Sequence, residues 1–369
     1  MMDVQIPRHA GNVCVLFVMG AICSLGLGCD DQERLDRLLE RTKATTNLGA
    51  NSALAALPES VAPKPAQRTV IARFKKPRAL AIDGTSAYVV DAVSGSREQD
   101  EQLDVLRVPL WNAGERVRIA SKQRMSGGPL VVRGDLFLVS PGDGPIDRLV
   151  KLGSPQGVAT SWPPPLPIAP KVIGSAEPAV ASDGTNLLFL APSDDKAMLD
   201  VMRMPFAGGK PARLASAYPA RVLFVAADAR NVYYPESGRL MKLSIAGGGA
   251  PVEIARAVSA LSAVSDGTYL YWADGGGKNL ATIRRVSIGG GAPETLATGF
   301  SSPTGLVLDN ESVFFIDRDA PDNGIYRVPK AGGPTVTVLR DQYAKGLTVD
   351  DKYIYWLDTA EGALCRAEK

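Results

Sequence analysis

The chain repeats one pattern, and that repetition limits the fold more than any other feature. Residues 261–299 read LSAVSDGTYLYWAD…TIRRVSIGGGAPETLATG, and residues 304–339 read TGLVLDNESVFFID…GIYRVPKAGGPTVTVL. Each copy has an apolar segment, a DGT-type turn, an aromatic segment ending in an acid, a loop, a segment with a central base, a Gly-rich turn and a last apolar segment. Short β-branched and aromatic runs separated by turn formers read as strands. Four such strands in one unit cannot bury their faces alone. Repeated around an axis they make the blades of a β-propeller.

The first turn of the unit can be followed through the chain as AIDGT (81–85), VVRGD (131–135), ASDGT (181–185), AADAR (226–230), VSDGT (264–268), VLDNE (307–311) and TVDDK (348–352). Seven turns predict seven four-stranded blades, with six or eight as the alternatives. The steps between their third residues are 50, 50, 45, 38, 43 and 41. The last unit stops at its third strand, GALCRAEK (362–369), and the first is preceded by an orphan strand, TVIARF (69–74). The N-terminal strand is therefore expected to complete the last blade and remove an open sheet edge. The all-β propeller should span 68–369.

YWAD (271–274) and YWLD (355–358), with weaker copies YVVD (88–91) and FFID (314–317), resemble the YWTD repeats of low-density-lipoprotein-receptor-type propellers. That family has six blades, so the resemblance implies propeller architecture and not receptor function.

The segment before the ring has a different character. Arg8 precedes an apolar run, Val13 to Gly28 (VCVLFVMGAICSLGLG), too short to span a bilayer and followed by Cys29. Positive start, apolar middle and small-residue end are the parts of a secretory signal, placed at 1–28. SLGLGC resembles the bacterial lipobox, which departs here only at Gly26, where a larger aliphatic is preferred. The resemblance implies lipidation of Cys29 and a membrane anchor. The alternatives are a disulfide between Cys29 and Cys365 and a plain uncleaved anchor. Residues 29–67 then form a stalk, with a helix over 30–46 (Leu35, Leu38 and Leu39 on one stripe) and a Pro/Ala-rich linker. The expected location is the bacterial cell envelope, on the extracytoplasmic side.

Composition excludes several function classes. The one histidine, His9, lies in the signal segment, which argues against imidazole catalysis and His-ligated metals. Lys and Arg number 41 against 39 Asp and Glu, so no nucleic-acid footprint is implied. The motif aspartates Asp91, Asp274, Asp317 and Asp358 end the second strands, and the following loops add Glu98, Asp100, Glu101, Asp143, Asp194, Asp195, Glu236, Asp319, Asp322 and Glu361. All these loops leave a propeller on one face. An acidic face of that kind is a candidate site for a cationic partner or calcium. The competing reading is that each Asp caps its own turn. A base recurs in the third strand of every unit (Arg107, Lys151, Arg203, Lys242, Arg285, Arg327, Arg366), where cross-strand pairing, cation–π contact or a carboxylate partner would hold it. Residues 157–170 are too proline-rich for a regular central strand and read as a repeat-breaking loop.

The expected function is a membrane-tethered, monomeric, non-enzymatic binding scaffold without cofactor, whose partner is a protein or envelope polymer. A calcium-dependent propeller hydrolase or lactonase is the alternative, and a small-molecule sensor or carrier a third reading.

Overall fold

The computed structural model describes residues 66–369, except 95–101, 112–115, 124–126, 133–134, 141–146, 152–165, 173–179 and several shorter loop segments. The expected signal segment, Cys29 and the expected stalk up to residue 65, with the helix expected over 30–46, lie outside the described residues.

Seven four-stranded antiparallel sheets are present among the described residues, and no helix. Blade one is β2 (Pro77–Ile82), β3 (Ser86–Ser94), β4 (Gln102–Pro109) and β5 (Val117–Gln123). Blade two runs from β6 (Gly127–Val132) to β9 (Leu166–Val172), and blade three from β10 (Val180–Ser182) to β13 (Ala212–Ala217). Blade four runs from β14 (Ala226–Ala227) to β17 (Val252–Arg256), and blade five from β18 (Ala260–Ser265) to β21 (Glu294–Phe300). Blade six runs from β22 (Pro303–Leu308) to β25 (Val336–Arg340). Blade seven is β26 (Ala344–Val349), β27 (Tyr353–Asp358), β28 (Ala363–Glu368) and, from the other end of the chain, β1 (Thr69–Arg73). First strands of successive blades touch all the way round, and β26 returns to β2. The result is a closed β-propeller.

Closure is specific. β1 pairs with β28 in the register Val70↔Cys365 and Ala72↔Leu364. Arg68 reaches Asp358 at 3.2 Å and Glu361 at 2.8 Å, and the Phe74 amide donates to Gly362 O at 2.6 Å. Gly362 has φ +62, and a Cβ there would lie 2.6 Å from Phe74 O, so the joint admits only glycine without strain. Ile71 and Ala72 carry the buried face of β1.

Between blades the aromatic pairs do the packing, because neighbours on a strand point to opposite faces. Trp272 joins blade four's Phe224, Tyr233, Leu240 and Ile254. Its neighbour Tyr271 joins blade six's Val313 and Phe315. Trp356 meets blade six's Phe314 and Ile316, while Tyr355 meets blade one's Leu80, Val89 and Val108. One YW pair thus packs its blade against both neighbours.

One expectation needs correction. The proline-rich stretch does not remain irregular up to 170: β9 includes Pro167 and Pro170, pairing Val150↔Pro167. β9 is the outermost strand of its sheet, and an edge strand tolerates residues without an N–H donor.

Candidate functional site

Two faces follow from the topology. Each first strand begins, and each second strand ends, on one face, where the second-to-third loops and the blade-to-blade connections also lie. We call it the entry face. The turns between first and second strands lie on the exit face.

On the exit face a turn aspartate anchors six of the seven blades, blade two having Arg133 at that position of its sequence. Asp83 Oδ1 accepts the amides of Thr85 (2.9 Å) and Ser86 (2.8 Å), and the same pattern recurs at Asp183, Asp228, Asp266, Asp309 and Asp350. The second oxygen takes a tyrosine hydroxyl five residues on: Tyr88 at 2.6 Å, Tyr233 at 2.5 Å, Tyr271 at 3.0 Å and Tyr355 at 2.6 Å. Where the tyrosine is replaced by Phe314, Lys369 Nζ fills the place on Asp309 at 2.8 Å. Where it is Leu188, Asn186 Nδ2 fills it on Asp183 at 2.8 Å. Burial acts to raise these carboxyls, but the converging donors outweigh it, and all six lie below the ordinary 3.8. Burial and the facing carboxylate push the four tyrosines up.

The pH consequence has a definite sign. A carboxyl with a lowered folded pKa is protonated more readily in the unfolded chain, so folding stability falls with pH through and below about 4. Melting temperature should hold level from neutrality to about pH 5 and then drop steeply toward pH 2. A Tm that stays level down to pH 2 contradicts the assignment.

The third-strand bases are explained by a contact between blades. Each stands across from the second strand's central side chain, as in Tyr88↔Arg107, Tyr233↔Lys242, Tyr271↔Arg285, Phe314↔Arg327 and Tyr355↔Arg366. From there four of them reach a backbone carbonyl of the next blade: Arg203 donates to Ile245 O at 2.5 Å, Lys242 to Ile288 O, Arg285 to Lys330 O, and Arg366 to Leu110 O at 2.9 Å across the closure, while Arg107 Nε donates to Ser86 Oγ of its own blade at 3.0 Å. Cation–π contact adds to this at Arg285–Tyr269 (4.6 Å) and Arg366–Tyr353 (4.7 Å). The expected aromatic contact is present, but the carbonyl of the following blade is a partner that sequence reasoning within one sheet did not find.

The motif aspartates are placed on the entry face. Asp91 accepts the amides of Lys75 (3.2 Å) and Lys76 (2.7 Å), and Asp317 those of Ser301 (2.9 Å) and Ser302 (3.0 Å). Those amides belong to the connection arriving from the previous blade. Asp358 accepts from Ala360 and Glu361, both at 3.0 Å, and Asp274 meets Arg284 at 3.4 Å. Glu236 takes the same position in blade four and accepts the Tyr218 amide at 3.0 Å. Asp91, Asp317 and Asp358 are buried. The four aspartates sit on four separate blades, and each is engaged locally; among the described residues no three acids, histidines or cysteines converge as a metal cluster. Of the loop acids, Asp194, Glu236 and Glu361 are described, while Glu98, Asp100, Glu101, Asp143, Asp195, Asp319 and Asp322 lie outside the described residues.

Cys365 is a buried free thiol, facing Arg68 Nε at 3.3 Å; burial pushes its pKa up.

Among the described residues the entry face exposes apolar side chains beside charged ones such as Lys75, Lys76 and Glu361. Tyr218 (57% exposed) and Tyr343 (57%) stand on blade-to-blade connections, and Leu280 (69%) closes the second-to-third loop of blade five. Nothing in the repeat singled these three out, because they fall where the copies differ. A further feature is a cavity of about 440 Å3 at the centre of the ring, lined almost wholly by first strands.

No family model matches the chain. Its fold is similar to that of several solved propellers. An oligogalacturonate lyase in complex with manganese aligns at 15% identity over 83% of this chain and 94% of its own, with TM-score 0.60. The β-propeller domain of the Trilobed protease from Pyrococcus furiosus aligns at 10% identity over 80% and 96%, with TM-score 0.57. A virginiamycin B lyase from Staphylococcus aureus aligns at 10% over 82% and 99%, with TM-score 0.53. At such identities the likeness establishes the β-propeller class and nothing about activity.

Proposed function

We propose that this protein is a membrane-tethered, extracytoplasmic propeller lipoprotein that works as a non-enzymatic scaffold, binding a protein or envelope polymer through its entry face. The observation that carries the binding role is the pairing of consumed acids with exposed apolar side chains. Asp91, Asp317 and Asp358 hold backbone amides, so their oxygens serve the ring. Tyr218, Tyr343 and Leu280 on the same face serve no internal contact of comparable burial. Exposed tyrosines offer large contact area at low conformational cost, and protein interfaces are enriched in them.

The tether rests on the sequence SLGLGC ending at Cys29. Acyl chains on that cysteine contribute roughly 0.8 kcal/mol per buried CH2, so more than one chain holds the protein firmly. In this reading a monomeric ring stands off the membrane on the 29–67 stalk and recruits its partner there. Labelling cells with an alkyne fatty acid tests the tether. The full chain should take up label and sediment with membranes, and Cys29→Ser should lose the label. A labelled Cys29→Ser protein, or an unlabelled native one, contradicts the tether.

A further inference from the structure

The joint between blades seven and one carries an aromatic side chain out of step with the repeat. Leu110 ends the third strand of blade one by donating to Thr85 O at 3.0 Å, on the exit face. Phe206, Ile245, Ile288 and Lys330 make the same bond in blades three to six, to the carbonyls of Thr185, Arg230, Thr268 and Glu311. The residue that follows is Ala207, Ala246, Gly289 or Ala331. In blade one it is Trp111, 62% exposed. The base-to-carbonyl bond between blades forms at Ile245, Ile288 and Lys330 beside those small residues, so a joint of this kind does not need the ring.

The ring is held in place from within. The Arg366 guanidinium lies over one of its faces, 5.2 Å from the ring centre, and donates to Leu110 O at 2.9 Å. Tyr353 meets Trp111 edge-on at 5.9 Å and stands 4.7 Å from the same guanidinium. The opposite face of the indole is left to solvent. A platform fixed before any ligand arrives loses little entropy on binding. Beside Tyr353, Lys352 Nζ lies 4.9 Å from the phenol ring centre and 3.2 Å from Glu368 Oε1, with both charged side chains exposed. One is a donor and the other an acceptor.

A flat aromatic with a donor and an acceptor at one edge matches a sugar ring, which has C–H groups on its faces and hydroxyls round its rim. A tryptophan that anchors a protein partner sits instead among apolar contacts that exclude water. Trp111 lacks such a surround among the described residues: Tyr218, Leu280 and Tyr343 stand on the entry face, and Val70 and Val252 on outermost strands.

We infer that Trp111, with Tyr353, Lys352 and Glu368, forms a binding site for a neutral glycan on the exit face, a sugar ring stacking on the indole and its hydroxyls meeting the Lys352–Glu368 pair. This site is separate from the entry-face interface and does not depend on the tether.

The test uses the full chain, kept free of sugar-headed detergents. Calorimetry measures binding of neutral tetrasaccharides of glucose, mannose, galactose and N-acetylglucosamine, with tetragalacturonate as the charged counterpart of the galactose chain. At least one neutral tetramer should bind saturably at or below millimolar concentration. Trp111→Ala, which installs the residue other blades carry, should weaken that binding by about tenfold or more and leave the melting temperature nearly unchanged. Glu368→Gln should weaken it several-fold. No saturation by any neutral tetramer, the result a protein-docking tryptophan would give, overturns the proposal. So does binding that survives Trp111→Ala, tighter binding of tetragalacturonate than of every neutral chain, or loss of the cooperative melt in Trp111→Ala, which would make the ring a structural cover for Arg366.

Discussion

Removing Thr69–Arg73 from the full chain should open the ring and cost on the order of 5 kcal/mol. The deletion loses the buried faces of Ile71 and Ala72, worth roughly 2–3 kcal/mol by area. It also loses the ladder to β28, at about 1 kcal/mol for each net hydrogen bond. Arg68 would no longer be held against Asp358 and Glu361. The exposed edge of β28 would then invite pairing with a second chain. We expect a lower and broader thermal transition, with soluble aggregates on gel filtration. A milder substitution, Ile71→Val, should cost only about 0.5–1.5 kcal/mol and leave the chain monodisperse. A deletion variant that melts like the native protein would contradict closure through β1.

The second large effect concerns the repeated aspartate. Asp317 is fully buried and accepts two amides, from Ser301 and Ser302. Asp317→Ala should cost about 2–5 kcal/mol, because two part-buried amide donors lose their partner. Urea denaturation should show a lower midpoint with an unchanged slope. Among the described residues Asp274 meets Arg284 at 3.4 Å, and losing that ion pair in Asp274→Ala accounts by itself for about 1 kcal/mol or less. Adding calcium should not raise the melting temperature of the native chain, since the oxygens of Asp91 and Asp317 already accept backbone amides. A calcium-dependent rise, lost on mutating Asp274 and Asp317, would return weight to the metal-dependent hydrolase reading.

These residues also show how far a sequence can be read. Periodicity carried the propeller, its turns and its closing strand, since each rests on local strand and turn chemistry repeated along the chain. The aromatic pair was legible as packing for the same reason. Other features are contacts between distant positions and leave no local trace. The bond from Arg366 to Leu110 O joins residues 256 positions apart. The meeting of Trp111 and Tyr353 exists only because blade seven closes on blade one. The Asp–Tyr bonds were visible in principle, as a constant five-residue spacing in DGTSAY, DARNVY, DGTYLY and DDKYIY. Pro167 and Pro170 misled because strand position, edge or centre, is a property of the sheet and not of the segment. Tyr218, Tyr343 and Leu280 stand where the repeat is irregular, so no period announces them.

The proposed scaffold is a tethered ring whose entry face binds a partner. Placing a photo-cross-linking residue at Tyr343 in intact cells tests this most directly, with Val252 (53% exposed, on the outermost strand of blade four) as the control position. The scaffold reading predicts one defined higher-mass adduct from Tyr343, absent from Val252, and lost when Tyr218 and Leu280 are both changed to Asp in a protein that still folds. Recovery of only the monomer from Tyr343, or the same adducts from both positions, would contradict it.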